Sequence, residues 1–235
     1  MLERKHSFDL EELNDLQLLI GNGYKYSNLF ENKLEVVEQF VKMQTMYSSA
    51  MKEVNTKLEI LDDEFRSINQ YNPIHHLECR VKSPRSILKK AMKSGEKWNL
   101  EMIQENIHDI AGVRVICNYT HDIFTVERLL LKQKDIKLVN KKDFITTPKK
   151  SGYRGIHLII SVPVFLSEKT EYIPVEIQLR TLGMDMWASL EHKLRYKNRN
   201  GKIDEEISTQ LEKCSHDIAN IDNVMENIHK KLLEN

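Results

Sequence analysis

Cysteine, proline and glycine are all scarce in this chain of 235 residues, which has three cysteines, five prolines and eight glycines. The cysteines are odd in number and none forms a CxxC pair, so we expect no disulfide framework and a reducing, cytoplasmic compartment. The shortage of proline and glycine, with 40% hydrophobic and 30% charged residues, favours a helix-rich globular protein over a disordered one.

Long hydrophobic runs are also missing. No segment approaches the roughly 20 consecutive apolar residues of a membrane-spanning helix, and the first residues, MLERKHSFDLEEL, lack the apolar core of a signal peptide. The formal net charge is zero, so the whole chain has no electrostatic preference for nucleic acid or a membrane surface. We therefore expect no membrane partner and do not expect nucleic acid to be the main ligand.

Positive charge is nevertheless concentrated in two stretches. Residues 80–97 contain seven lysines and arginines and one acid, and residues 132–154 contain eight basic residues and two acids. Either stretch alone is equally compatible with a solvated helix face. Because the two flank one β-rich segment, together they favour an anion-binding site.

The hydrophobic pattern divides the chain into three predicted parts. Residues 1–71 carry apolar side chains at helical spacing and form an N-terminal helical region. Residues 72–200 form an α+β domain, a mixed β-sheet flanked by helices, and residues 201–235 form a C-terminal helix. The apolar stripes of the terminal helices exceed what one small core needs, so we expect them to pack on each other or on a second subunit. The alternative is that they cover the domain's own sheet.

Periodicity within the central domain predicts four strands, at 113–117, 136–140, 156–162 and 173–179. Capping residues and proline predict four helices, which begin near Pro84, Asn99, Thr120 and Thr181.

Two acidic residues stand near the ends of predicted strands. Strand alternation places Glu176, Gln178 and Arg180 on one face, and Asp109 lies just before the strand that carries Arg114. If the strands are neighbours, Asp109 and Glu176 approach each other and repel unless a cation lies between them. Mg²⁺ takes one or two protein carboxylates and completes its shell with phosphate oxygens and water. The alternative is an ordinary solvated sheet face.

Tyr153 and His157 stand where the second basic stretch meets a predicted strand. Gly152 allows close backbone approach beside the tyrosine, and an aromatic ring next to basic groups suits base stacking. The alternative is a tyrosine at the edge of the core and a histidine that only forms structural hydrogen bonds.

Four ordered blocks resemble the synthetase domain of RelA/SpoT-type proteins across residues 72–200. They are R-V-K-S-P-x-S (Arg80–Ser86), D-I-A-G-V-R (Asp109–Arg114), K-D-F-I-x-x-P-K-x-S-G-Y-R-x-I-H (Lys142–His157) and V-E-I-Q-L-R-T-x-x-M-D-x-W-A-x-x-E-H (Val175–His192). Four blocks in order are far more specific than one motif. No His-Asp hydrolase region precedes them and no regulatory region follows, so the chain resembles a small alarmone synthetase.

This resemblance implies a reaction and a fold. The β,γ-pyrophosphate of ATP moves to the ribose 3′-hydroxyl of GDP or GTP, which gives AMP and the stringent-response alarmones ppGpp or pppGpp. The implied fold is a nucleotidyltransferase-like mixed sheet, the implied cofactor is Mg²⁺, and the implied assembly is a homo-oligomer, with a tetramer suspected.

The resemblance also implies site residues. For ATP they are Arg80, Lys82, Ser86, Lys90, Lys93 and Arg114, with the two arginines stacked on adenine. For GDP or GTP they are Lys142, Lys149, Tyr153, His157, Gln178 and Asp185, with the tyrosine stacked on guanine. Asp109 and Glu176 are the implied catalytic pair and Mg²⁺ ligands, and Glu176 is the hypothetical general base.

Three positions depart from the family's usual pattern, which has serine at Gly155, tyrosine at Phe144 and, in the long enzymes, often arginine at Asn140. The missing hydroxyls are expected either to loosen a loop hydrogen bond or to shift acceptor preference. Two other functions stay open: pyrophosphate transfer to an adenine nucleotide or a tRNA 3′ end, and a non-catalytic RNA-binding scaffold. The Asp109–Glu176 pair speaks against the scaffold, which has no need to hold a metal.

Overall fold

The computed structural model describes residues 33–68, 71–91, 100–197 and 204–233. The elements in this part of the chain are α1 (Lys33–Ile68), β1 (Ile74–Val81), α2 (Pro84–Ala91), α3 (Leu100–Asn106), β2 (Ala111–Cys117), α4 (Thr120–Leu131), β3 (Lys137–Asp143), β4 (Ile156–Phe165), β5 (Thr170–Thr181), α5 (Leu182–Lys197) and α6 (Glu205–Leu233). The predicted cap at Asn99 lies outside the described residues.

The strands form one five-stranded sheet in the order β1-β2-β5-β4-β3. All four predicted strands are present, and each extends beyond its predicted bounds. Strand β1 was not predicted, because its apolar residues Ile74, Leu77 and Val81 are three and four apart instead of alternating. The predicted α+β class, a mixed sheet flanked by helices, is confirmed.

Contacts divide the described chain into two compact units. The first contains residues 33–55, 79–91, 100–113 and 161–176, and the second contains residues 56–68, 71–78, 114–160, 177–197 and 204–233. Strands β1, β2, β4 and β5 each contribute residues to both units. The division after residues 71 and 200 that the hydrophobic pattern indicates stays a prediction.

Helix α1 supplies much of the core of the first unit. Its buried side chains recur at helical spacing, as Phe40, Met43, Tyr47, Ala50, Met51 and Val54. The side-chain amide of Gln44 donates a hydrogen bond of 2.8 Å to the backbone carbonyl of Lys82. This bond fixes the end of β1 against the helix, at the start of the first basic stretch.

The core of the second unit lies between its strand segments and helix α4. Val115, Leu158 and Ile177 are fully buried on neighbouring strands. Helix α4 begins at Thr120 as predicted, but its cap is Tyr119, whose backbone N–H donates to Asp122 Oδ2 at 3.0 Å. The prediction that Thr120 is the cap was wrong, because the carboxylate three residues beyond Tyr119 closes the first turn.

Helix α5 begins directly after β5, as predicted. The backbone N–H of Met184 donates to Thr181 Oγ1 at 3.1 Å, so the threonine side chain satisfies one of the unpaired donors of the first turn. The helix therefore starts at a fixed distance from Gln178 and Arg180, which precede it on the strand.

The predicted apolar stripe of α6 is exposed in the chain. Ile221, Val224 and Leu232 are 61%, 57% and 71% exposed, whereas Ser215 and Glu226 of the same helix are buried. These stripe residues therefore do not cover the domain's own sheet, which was one of the two alternatives. No helix within the described ranges is long and apolar enough to cross a membrane.

Candidate functional site

Asp109 holds two of the predicted ATP lysines in the first unit. It lies just before β2, and its Oδ2 and Oδ1 accept hydrogen bonds from Lys82 Nζ at 2.5 Å and Lys90 Nζ at 2.8 Å. Burial alone would raise the pKa of the Asp109 carboxyl, but the hydrogen bonds and charges of both lysines outweigh it and lower that pKa. The carboxylate therefore stays ionised and keeps the two ammonium groups side by side.

Helix α2 carries the other residues of this cluster. Its first turn is closed by Ser83, whose backbone carbonyl accepts the N–H of Ser86 at 2.9 Å and whose Oγ lies 2.9 Å from Ser86 Oγ. Arg80, at the end of β1, and Ser86 are both exposed. Lys93, also predicted to bind ATP, lies outside the described residues.

Glu176 is half-buried on β5, between the fully buried Val175 and Ile177, as strand alternation predicts. Strands β2 and β5 are neighbours, and a Cβ added to Gly112 would lie 3.8 Å from the backbone carbonyl of Glu176. Asp109 precedes Gly112 by three residues, so both carboxylates belong to adjacent segments of one unit. Their convergence on a shared ion stays a prediction.

The donor chemistry of this pair suits Mg²⁺. Both residues offer carboxylate oxygens, and Asp109 is held in its ionised form by its lysines. Over the described ranges, no group of three or more His, Cys, Asp or Glu side chains could hold a metal ion. Asp109 and Glu176 would therefore supply part of the shell, and phosphate oxygens and water would complete it.

Three aromatic rings of the second unit pack edge to face. The ring centroids of Tyr153 and His157 are 5.5 Å apart, and Phe144 lies 5.7 Å from Tyr153 and 5.5 Å from His157. Tyr153 OH and His157 Nε2 are hydrogen-bonded at 2.5 Å. Lys149 Nζ lies 4.4 Å from the Phe144 centroid and 4.8 Å from that of Tyr153. This cluster combines aromatic surface with a cation.

Arg180 connects this cluster to two further predicted residues. It is only 6% exposed. Its guanidinium donates from Nε to Tyr153 OH at 3.1 Å, from NH2 to Gln178 Oε1 at 2.8 Å, and from NH1 to Asp185 Oδ1 at 2.9 Å. The rigid fork of the guanidinium allows all three bonds at once. Tyr153, Gln178 and Asp185, all predicted to bind the acceptor, are thereby held by one buried side chain.

Arg114 and Lys142 are placed differently. Arg114 NH1 lies 2.8 Å from Glu78 Oε2 and 3.3 Å from Asp185 Oδ1, and its Nε is buried without a hydrogen-bond partner. Arg114, predicted to stack on adenine, thus contacts a residue predicted to serve the acceptor. Lys142 is exposed on β3, the edge strand of the sheet.

Gly155 explains one of the departures from the family pattern. Its φ is +143° and an added Cβ would lie 3.1 Å from the Leu179 carbonyl, so the backbone here favours glycine. Its own carbonyl accepts the N–H of Phe144 at 2.9 Å. That backbone hydrogen bond closes the loop at Phe144 and Gly155, without the side-chain hydroxyls that serine and tyrosine would bring.

Residues 79–201 match the region found in RelA / SpoT proteins. The GTP pyrophosphokinase YwaC of Bacillus subtilis (strain 168) is 40% identical over 197 residues, which are 84% of this chain and 93% of that protein.

The chain belongs to the RelA/SpoT family. A second relative, the GTP pyrophosphokinase YjbM of the same organism, is 34% identical over 198 residues, or 84% of this chain and 92% of that protein.

Solved structures place the chain among the small alarmone synthetases of this family. Small alarmone synthetase 2 from Bacillus subtilis matches with a TM-score of 0.72 and 42% identity, over 80% of this chain and 96% of that one. Small alarmone synthetase 1 from Bacillus subtilis, bound to its product pppGpp, matches with a TM-score of 0.75 and 33% identity, over 83% and 98%. The resemblance and the enzyme class, a transferase of the GTP pyrophosphokinase type, are confirmed.

Two contacts of this RelA/SpoT enzyme were missed from the sequence. Arg180 was predicted on the strand face of Glu176 and Gln178, but its hydrogen bonds to Tyr153 and Asp185 were not predicted; a basic residue beside two predicted site residues was the available signal. Ser215 of α6 contacts Gly152 of the second basic stretch. No motif could have indicated it, since the two residues are 63 positions apart.

Proposed function

We propose that this enzyme transfers the β,γ-pyrophosphate of ATP to the ribose 3′-hydroxyl of GDP or GTP, giving AMP and ppGpp or pppGpp. The observation that carries the proposal is the pairing of Lys82 and Lys90 on Asp109. Pyrophosphoryl transfer demands positioning and charge neutralisation more than covalent chemistry. Paired ammonium groups beside an ionised carboxylate suit a polyphosphate and its counter-ion.

The donor residues have distinct roles in this proposal. Lys82, Ser86, Lys90 and Lys93 bind the phosphates of ATP, and Arg80 and Arg114 stack on adenine. The side chains of Lys82 and Lys90 are 15% and 46% exposed, so the second is the more accessible to a phosphate.

Asp109 and Glu176 would hold Mg²⁺, which neutralises charge that develops on the transferred group. We further assign Glu176 as the general base that accepts the proton of the 3′-hydroxyl. This role suits a half-buried carboxylate whose strand neighbours are apolar.

Of the acceptor residues, Lys149, Tyr153 and His157 belong to the aromatic and basic cluster of the second unit, and Lys142 lies exposed on β3. Tyr153 stacks on guanine, while Lys142, Lys149 and His157 contact the acceptor's phosphates. Gln178 and Asp185 orient the nucleotide and are themselves held by Arg180. Small alarmone synthetase 1, whose structure holds pppGpp as product, supports a guanine nucleotide as acceptor.

Product analysis tests the acceptor. The protein is incubated with ATP, Mg²⁺ and, separately, GDP, GTP, an adenine nucleotide or tRNA, and product masses are measured. We expect AMP together with a guanine nucleotide that has gained a pyrophosphate. Transfer only to an adenine nucleotide or a tRNA 3′ end would refute the guanine acceptor. Absence of Mg²⁺-dependent AMP release would refute the enzymatic activity and favour a non-catalytic RNA-binding scaffold.

The role of Glu176 is tested by Glu176→Gln. We expect turnover to fall by about 10²–10⁴-fold, the usual contribution of general acid–base catalysis, while nucleotide binding remains measurable by calorimetry. Glu171→Gln is the matched control, because Glu171 lies on the same strand and pairs with Lys169 at 2.6 Å. Wild-type kcat in Glu176→Gln would rule out the assignment.

A homo-oligomer, with a tetramer as the suspected form, and a cytoplasmic location complete the proposal. On α5, Met186, Leu190 and Leu194 are each 52% exposed at a spacing of four residues, which is a continuous apolar stripe. Together with the exposed stripe of α6, it favours subunit contacts over solvent. Light scattering during gel filtration should give a mass that is a multiple of 27.7 kDa, and Leu190→Glu should lower it.

A further inference from the structure

Helix α6 reaches the loop that carries two of the proposed acceptor residues. The helix lies beyond residues 79–201, the part that matches the family region. Ser215 Oγ nevertheless donates a hydrogen bond of 2.5 Å to the backbone carbonyl of Gly152, in a buried contact. Tyr153 follows Gly152 directly in the chain. A helix outside the shared motifs thus holds the backbone next to the proposed guanine-stacking ring.

The helix and the loop fit together closely at this contact. The φ of Gly152 is +90°, and a Cβ added there would lie 3.0 Å from Ser215 Cβ and 3.1 Å from Glu212 Cα. The same Cβ would lie 3.3 Å from Trp187 Cζ2. Because no side chain fits at position 152, the loop backbone rests directly on α6, and a displacement of the helix there must displace the loop.

Trp187 also holds α6 next to this loop. Its ring is 5% exposed, and its Nε1–H donates to the backbone carbonyl of Leu211 at 2.9 Å, one helical turn before Ser215. Trp187 belongs to α5, which starts directly after β5. The register of Ser215 against the loop is therefore tied to the strand that carries Gln178 and Arg180.

Backbone hydrogen bonds connect Gly152 to Lys149 and Tyr153, the two proposed acceptor residues of the loop. The N–H of Gly152 donates to the Lys149 carbonyl at 2.8 Å, and the N–H of Lys149 donates to the Tyr153 carbonyl at 3.1 Å. These two hydrogen bonds close the turn, so Lys149, Gly152 and Tyr153 move together. Lys149 Nζ and the Tyr153 ring centroid are 4.8 Å apart within it.

We propose that Ser215 is a positioning residue for the acceptor: through Gly152, helix α6 sets the placement of Lys149 and Tyr153 for the guanine nucleotide. The inference rests on the proposed function, since it assumes that these two residues bind the acceptor. It goes beyond that function by giving the C-terminal helix a part in acceptor binding that the family motifs do not contain.

Ser215→Ala tests the inference in the full chain. We expect the KM for GDP or GTP to rise about 3- to 10-fold, the equivalent of one lost hydrogen bond, while kcat and the KM for ATP stay within about twofold. A merely structural contact would not separate the two substrates in this way. Trp187→Phe, which keeps an aromatic but smaller ring and removes the donor to Leu211, should shift the same parameter.

Two further variants complete the design. Thr209→Ala is the matched control, because Thr209 is exposed on the same helix and its hydroxyl donates to the carbonyl of Glu205 within that helix. It should leave both KM values unchanged. Ser215→Thr keeps a hydroxyl donor and should restore much of the acceptor affinity that Ser215→Ala loses.

The inference is overturned if Ser215→Ala keeps the wild-type KM for the acceptor, or if the KM values of both substrates rise together. Failure of the proposed function looks different, because the wild type itself then yields no guanine product. In that case, calorimetric Kd values of wild type and Ser215→Ala for GDP decide the inference: a weaker Kd in the variant upholds it, and equal Kd values or no binding refute it.

Discussion

Arg180 allows a sharp test of how the acceptor cluster is held together. The guanidinium makes three hydrogen bonds, to Tyr153, Gln178 and Asp185, and its Cζ lies 5.2 Å from the centroid of the tyrosine ring. Arg180→Lys keeps the positive charge but replaces a planar fork with one compact ammonium group. A single ammonium at the end of a flexible stem cannot reproduce the three fixed donor directions.

The magnitude follows from the bonds that are lost. A hydrogen bond to a charged group contributes about 1.5–3 kcal/mol, and a buried acceptor left unpaired adds to the cost. Lysine can keep one partner, and Asp185 retains Arg114 NH1 at 3.3 Å. We therefore expect the free energy of unfolding to fall by roughly 2–3 kcal/mol, about two charge-assisted bonds after partial compensation.

Calorimetry at fixed protein concentration measures this change. For a protein of this size, 1 kcal/mol corresponds to roughly 2–4 °C in Tm, so the Tm of Arg180→Lys should fall by about 4–12 °C. Arg128→Lys is the control, because Arg128 is exposed on α4, and surface changes usually stay within about 0.5 kcal/mol. The KM for the guanine acceptor should rise as well, while that for ATP stays constant.

Two results would refute this account of Arg180. One is a Tm for Arg180→Lys as close to the wild type as that of Arg128→Lys. The other is additivity in a double-mutant cycle with Tyr153→Phe, because bonded partners should show a coupling of about 0.5–3 kcal/mol.

Two further predictions concern pH and the acceptor loop. Burial raises the pKa of Glu226, but hydrogen bonds from Lys230 and the backbone N–H of His121 lower it more. The ionised side chain therefore stabilises the folded protein at pH values above its unfolded pKa of about 4.3, and this contribution is lost as pH falls through the lower pKa of the folded state. In denaturant titrations, the free energy of unfolding should fall more steeply below about pH 4.3 in the wild type than in Glu226→Gln. At pH 7 the variant should be less stable by roughly 1 kcal/mol. The same pH dependence of unfolding free energy in both proteins would contradict this. Gly155→Ser, which restores the residue usual in the family, should destabilise the folded protein by roughly 1–3 kcal/mol, because the φ of Gly155 is positive and the Leu179 carbonyl is close. An unchanged Tm would show that the backbone relaxes.

The local sequence pattern correctly predicted burial and capping where these depend on residues nearby in the sequence. Alternation along β5 predicted buried Val175 and Ile177 around half-buried Glu176, and Thr181 was predicted as the cap of α5. Strand β1 was not predicted, because its apolar residues do not alternate. Tyr119 replaced Thr120 as a cap because Asp122 supplies the acceptor that closes the turn.

The sequence by itself determined the family, the α+β class and the candidate chemical groups, because ordered motifs and periodicity are properties of neighbouring positions. Only the tertiary structure decided that Arg180 joins three acceptor residues, that Ser215 supports the loop at Gly152, and that the α6 stripe lies exposed. Each of these depends on segments that meet in space at a particular register. Such contacts are set by the packing of the whole chain, and no local preference of either segment specifies its partner.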